Sequence, residues 1–126
     1  MYSAPDYAAK GPSLLARRFF DGVLEPIYRD WFRTQVLGSG NIPASGPALF
    51  VGNHAGAFAI DALMVVHALE RNSSRALHLL GANFLFQEPM RELMAHLNVH
   101  PAHFDTASKL LQAGHLVGVW PEGVNG

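Results

Sequence analysis

Two short segments carry the residue types that acid–base chemistry needs. The first is Asn53-His54-Ala55-Gly56 followed by Asp61, and the second is Pro121-Glu122-Gly123. A histidine titrates near neutral pH, and a carboxylate that accepts its ring N–H fixes the tautomer and stabilises the imidazolium. His54 partnered in this way by Asp61 is a general base. The six residues between them allow the chain to fold back from a strand end to the start of the next helix. Ala55, Gly56 and Ala57 keep the approach to the ring open. Spacing alone also admits a plainer reading, a loop histidine and a helix-capping aspartate that never meet. Glu122 likewise has two readings: a carboxylate facing a ligand, or a cap on a following helix.

Position strengthens the chemical reading. Ala48 to Gly52 is a short apolar run bounded by turn residues, which predicts a buried strand ending just before Asn53. His115 to Trp120 predicts another strand, ending just before Pro121. Open α/β sheets bind ligands at the carboxyl ends of their strands, and both segments fall there. Between them the texture alternates. A helix is predicted at residues 60–70, a strand at 76–80, a helix at 84–97 with Pro89 in its first half, a short strand at 98–100 and a helix at 104–112. Gly114 sits where the last of these helices needs its C-cap. Such alternation implies right-handed crossovers and an α/β fold with a mostly parallel sheet flanked by helices.

Upstream, residues 1–12 read as a disordered lead-in. From Ser13, a plausible N-cap, to about Leu37 the apolar residues recur at spacings of three and four, which predicts an amphipathic helical segment over 13–37. Pro26 predicts a kink or two shorter helices. The aromatic stripe, with Arg17, Arg18, Arg29 and Arg33 beside it, fits either a bilayer interface or packing on the rest of the domain. Packing is the commoner use and is favoured. Residues 38–47 are Gly- and Pro-rich, hence a loop, and residues 38–126 form the α/β region. The best-formed strand lies only a few residues before position 126, so the sequence is expected to be the N-terminal part of a larger domain.

Composition narrows the function classes. Apolar residues make up 49% and charged residues 15% of the 126, which excludes a disordered chain. A formal net charge of -1 gives nucleic-acid binding no electrostatic support. Cysteine is absent, which removes disulfides, thiolate catalysis and cysteine-ligated metals. No secretory signal and no apolar run of about 18 residues is present in the sequence, so a cytoplasmic location is expected, with contact at a membrane surface left open. Seven histidines invite a metal. His96, His100 and His103 would share a helical face, but Asn98 and Pro101 interrupt that helix, so no metal site is expected. His67 and His78 read as hydrogen-bonded core or edge residues, His115 has no evident partner, and Trp120 reads as a packing residue at the strand end.

VGNHAGAFAID at residues 51–61, followed by VGVWPEG at 117–123, resembles the glycerolipid acyltransferase superfamily, the PlsC-like lysophospholipid acyltransferases. The similarity runs from about residue 38 to 126 and includes the lead-in GNIPASGPALFVGNH. The resemblance implies that His54 deprotonates an acceptor hydroxyl, that Asp61 orients it, and that Glu122 and Gly123 bind the acceptor, with Asn53 and Gly56 lining the substrate site. The donor it implies is acyl-CoA or an acyl-carrier protein, with a glycerolipid or related lipid as acceptor and no metal or redox cofactor. The protein would then be an O-acyltransferase working peripherally on a membrane. Attack on a thioester needs no covalent enzyme intermediate, which suits a chain without cysteine or a Gly-x-Ser-x-Gly elbow.

Departures from the family pattern refine this. The best-known pattern has a shorter His–Asp gap, and the wider one here resembles the mono- and diacylglycerol acyltransferase-like branch. Asn125 stands where the family has a phosphate-pairing Arg, and Asn98 to His103 contains no Arg. Asn cannot neutralise a phosphate or form the bidentate fork. A neutral or differently anchored acceptor is therefore favoured. Two rival readings remain: a catalytically inactive lipid- or partner-binding fragment, and an esterase that uses His54 and Asp61 with water as acceptor.

Overall fold

The computed structural model describes residues 14–54 and 60–121. The expected lead-in at 1–12 and the proposed N-cap Ser13 lie outside the described residues. The element order is α1 (Leu14–Pro26), a π-helical turn (Ile27–Trp31), β1 (Ala48–Val51), α2 (Ile60–Asn72), β2 (Leu77–Gly81), α3 (Met90–His96), β3 (Val99–Pro101), α4 (Phe104–Gln112) and β4 (Leu116–Val119). Short 3-10 turns lie at Ser39–Asn41 and Asn83–Phe86.

The four strands form one all-parallel sheet in the order β1-β4-β2-β3. This is the expected α/β class, with a parallel sheet flanked by helices. The last strand inserts between the first two, so β1 and β4 run side by side with Val51 opposite Val119. Leu116 and Val117 point to opposite faces of β4, and both are fully buried. Burial of consecutive side chains is the signature of a central parallel strand covered on both sides. On one face Leu77, Leu79 and Leu116 pack against Ala62 and Leu69 of α2, joined by Phe50, Val99 and Trp120. That face fixes α2, and with it Asp61, relative to the strand ends.

Arg75 ties the loops together. Its guanidinium donates to the carbonyls of Pro43, Gly46 and Gly114 at 2.8, 2.6 and 2.7 Å. Those carbonyls lie in the loops that lead into β1 and β4, so one side chain links the entrances of the two neighbouring strands.

Three expectations need correction. The amphipathic segment is helical only to Trp31, not Leu37. Arg33 takes a positive φ of 49°, which a continuing helix cannot accommodate. Pro26 does close α1, and the chain passes directly into the wider π-helical turn. The helix expected over 84–97 is two pieces, a 3-10 turn and α3, because Pro89 stands between them with no N–H to donate. Packing of the N-terminal stripe is also only partial. Tyr28 is buried, whereas Phe19, Val23, Trp31 and Phe32 are exposed.

Candidate active site

β1 delivers Asn53 and His54 at its carboxyl end, and α2 opens with Asp61 in its first turn. The two side chains come together. His54 Nδ1 lies 3.2 Å from each Asp61 carboxylate oxygen. Both groups are mostly buried, at 25% and 20% side-chain exposure, so the contact is partly shielded from water. A carboxylate only accepts, so the hydrogen sits on Nδ1 and the lone pair on Nε2. That is the tautomer a base needs.

Asp61 also accepts the N–H of Ala62 on Oδ1 at 2.9 Å. The two readings of this aspartate are therefore not alternatives. It serves the first turn of α2 and meets His54, and the positive end of the helix is a favourable place for its carboxylate.

Trp120 is the residue that sequence reasoning undervalued. Its indole lies stacked beside the His54 imidazole, with ring centroids 5.7 Å apart and planes 20° from parallel. The signal was the adjacency of the two strand ends, which the sequence does not reveal. Gly52 makes the approach possible, since a Cβ there would come 3.0 Å from Trp120 Nε1. Asn53 is exposed beside the pair. Gly56, Glu122, Gly123 and Asn125 lie outside the described residues. The chain does leave β4 at Trp120–Pro121, one strand away from the end of β1 that carries His54.

Three of the other histidines, His78, His100 and His115, come together. His78 Nδ1 and His100 Nε2 are 3.0 Å apart, and the His115 ring lies 4.4 Å from that of His78. His115 thus has a partner after all, because β4 inserts next to β2. Burial, with His115 and then His100 nearby, lowers the His78 pKa to about 4, and burial lowers that of His100 as well. His96, His100 and His103 share no helix: they sit on α3, β3 and the residue before α4. His67 on α2 is buried, as expected, and its Nε2 lies 2.6 Å from Glu25 Oε2 on α1. Arg71 also pairs with Glu25, and these contacts, Arg71 foremost, hold that carboxyl below its ordinary value.

Against known proteins, the family model described as Acyltransferase matches residues 33–125. The chain belongs to this family, the PlsC-like superfamily. The matched span includes β1 through β4 and both halves of the His54–Asp61 pair. The acyltransferase chain is 37% identical over 115 residues to an uncharacterized protein of Mycobacterium tuberculosis (strain H37Rv), covering 86% of this chain and 32% of that protein. An uncharacterized protein of Mycobacterium bovis shows the same identity and coverage. One of Mycobacterium leprae is 36% identical, with 86% and 31% covered. The acyltransferase chain therefore spans about a third of the length of the curated relatives it matches. No solved structure matches it significantly.

Proposed function

We propose that the chain moves a fatty acyl group from acyl-CoA or an acyl-carrier protein to a hydroxyl of a glycerolipid or related lipid. The observation that carries this reading is the His54 Nδ1–Asp61 contact, which in the neutral ring leaves the lone pair on Nε2. His54 Nε2 takes the acceptor hydroxyl proton as that oxygen attacks the thioester carbonyl. The tetrahedral intermediate then collapses, the carbon–sulfur bond breaks, and the imidazolium returns its proton to the departing thiolate. Asp61 holds the ring in place and stabilises its cationic form. Trp120 restricts the ring plane. Glu122 and Gly123 are assigned to the acceptor, with Asn53 and Gly56 beside the reacting groups, and the chemistry calls for no metal or redox cofactor.

The setting we propose is the cytoplasmic face of a membrane, with the acyl thioester and the lipid as the partners and no nucleic acid. Exposed Phe19, Val23, Trp31 and Phe32, with exposed Arg18, Arg29 and Arg33 among them, support a surface-bound arrangement. Among the described residues no helix is long and apolar enough to cross a membrane. A neutral acceptor, as in the mono- and diacylglycerol acyltransferase-like branch, fits the absence of an arginine from Asn98 to His103.

The test is release of free thiol from long-chain acyl-CoA, with a panel of lysolipids and acylglycerols. Release that depends on an acceptor and disappears in His54→Ala is expected. Release without any acceptor would make the protein an esterase, and silence from the folded chain would leave a lipid- or partner-binding role.

A further inference from the structure

Away from the active edge, α1 and α2 meet at His67, a histidine with only 3% of its surface exposed. Its Nε2 lies 2.6 Å from Glu25 Oε2, and Glu25 is ion-paired with Arg71 through its other oxygen. A carboxylate in an ion pair can only accept, so Nε2 carries a hydrogen, and in the neutral ring Nδ1 then holds the lone pair. Nδ1 is buried and has no hydrogen-bond partner. It faces Asp21 Oδ1 at 3.7 Å. That is too long for a hydrogen bond, and a lone pair set against a carboxylate is repulsive without a cation between them.

The distance suits two ligands of one ion. Zinc binds imidazole nitrogen and carboxylate oxygen at about 2.0–2.2 Å each, so two such bonds span up to about 4 Å. Glu70 supplies a third donor, three residues beyond His67 on the same side of α2. One ligand atom from each of Asp21, His67 and Glu70 lies within 4.8 Å of the others. Three protein ligands with water in the fourth position is a common zinc arrangement. Glu25 completes the pattern from behind, since metal-bound histidines usually donate their other ring N–H to a carboxylate.

We propose that Asp21, His67 and Glu70 bind a zinc ion that fastens α1 to α2. The ion holds the two helices together, and no step of acyl transfer passes through it. By pinning α1 to the helix whose first turn holds Asp61, it steadies the frame behind the His54–Asp61 pair. Magnesium is a poor match, because it prefers all-oxygen, near-octahedral sites and keeps several waters.

The test is calorimetric titration of the chelator-treated full chain with zinc chloride, alongside thermal unfolding. One zinc per chain and a higher Tm are expected, with little response to magnesium. Asp21→Asn and Glu70→Gln should each weaken zinc binding about 10-fold or more, and Glu25→Gln about 10- to 100-fold. These are near-isosteric changes, so circular dichroism should show a retained fold. Nitrogen-15 spectra of the wild-type histidines report independently of any variant, because zinc should shift His67 Nδ1 in particular. Absence of zinc binding by the folded wild type overturns the proposal. So does binding that survives the Asp21→Asn/Glu70→Gln double change, or a His67 Nδ1 that carries a proton when zinc is present. Since none of these readouts is thiol release, a failure here leaves the acyl-transfer reading separately testable.

Discussion

Gly52 and Trp120 stand next to one another at the ends of neighbouring strands, and a single methyl on Gly52 would come within 3.0 Å of the indole nitrogen. The same indole stacks beside His54. Space at Gly52 is thus coupled to the orientation of the base. Gly52→Ala should displace Trp120 and with it the imidazole. The expected cost is about 1–2 kcal/mol of stability from overpacking and a fall of about 10-fold in kcat. Stopped thiol-release assays and thermal melts on the one variant measure both. An unchanged kcat would show that the ring needs no support from Trp120.

One substitution can separate the contact of Asp61 with His54 from its bond to the Ala62 N–H. Asn serves a helix start about as well as Asp does, so Asp61→Asn should leave α2 and Tm nearly unchanged. An amide cannot stabilise an imidazolium, and it can present either end to Nδ1. The proposed base is therefore weakened while the fold is kept. The expected loss in kcat is about 100- to 10,000-fold with little change in KM. If Tm falls in step with activity, the aspartate is chiefly a cap.

How much of this was legible beforehand differs from element to element. Helix α4 matches its expected limits, residues 104–112, because its apolar spacing, the backbone before it and Gly114 after it all agree. β1 and β4 were visible as apolar runs between turn residues. The His54–Asp61 contact was visible as a possibility, since it joins two residues of one short segment. What the sequence hid was non-local. Nothing in local pattern says that β4 inserts beside β1, yet that placement brings Trp120 to His54 and His115 to His78. The His67–Glu25 contact joins residues 42 positions apart and was equally hidden. The overrun of the first helix has a different cause. Phe32 and Val36 continue the helical spacing but are exposed, so periodicity there reports no buried face.

Arg75 offers a test of how the strand entrances are held. Its guanidinium serves three backbone carbonyls in two loops. Charge-assisted bonds of this kind contribute about 1.5–3 kcal/mol each, but carbonyls near the surface regain water when the donor is lost. Arg75→Met keeps most of the apolar stem and should cost about 2 kcal/mol in total. Denaturant titration would show the loss as a lower midpoint at unchanged slope. Arg75→Lys should recover only part of it, because an ammonium cannot reach three carbonyls in the planar geometry of the fork. Full recovery by lysine would mean that charge alone matters here.

Stability should fall on mild acidification through His78. Burial, together with His115 and His100, lowers its pKa to about 4 from the ordinary 6.5. Between those values the unfolded chain binds a proton that the folded chain refuses, so stability rises with pH in that window and drops as pH is lowered. Above about 6.5 the ring is neutral in both states and contributes no slope. Near 4 and below, both states are protonated and the loss is complete. The slope from this ring is at most about 1.4 kcal/mol per pH unit, and His100, shifted in the same direction, adds to it. Urea unfolding between pH 7.5 and 4.5 measures the slope directly. His78→Gln removes the titrating ring and should flatten the curve across the window, even if it lowers stability at pH 7.5. A variant that retains the wild-type slope would place the acid sensitivity on other groups.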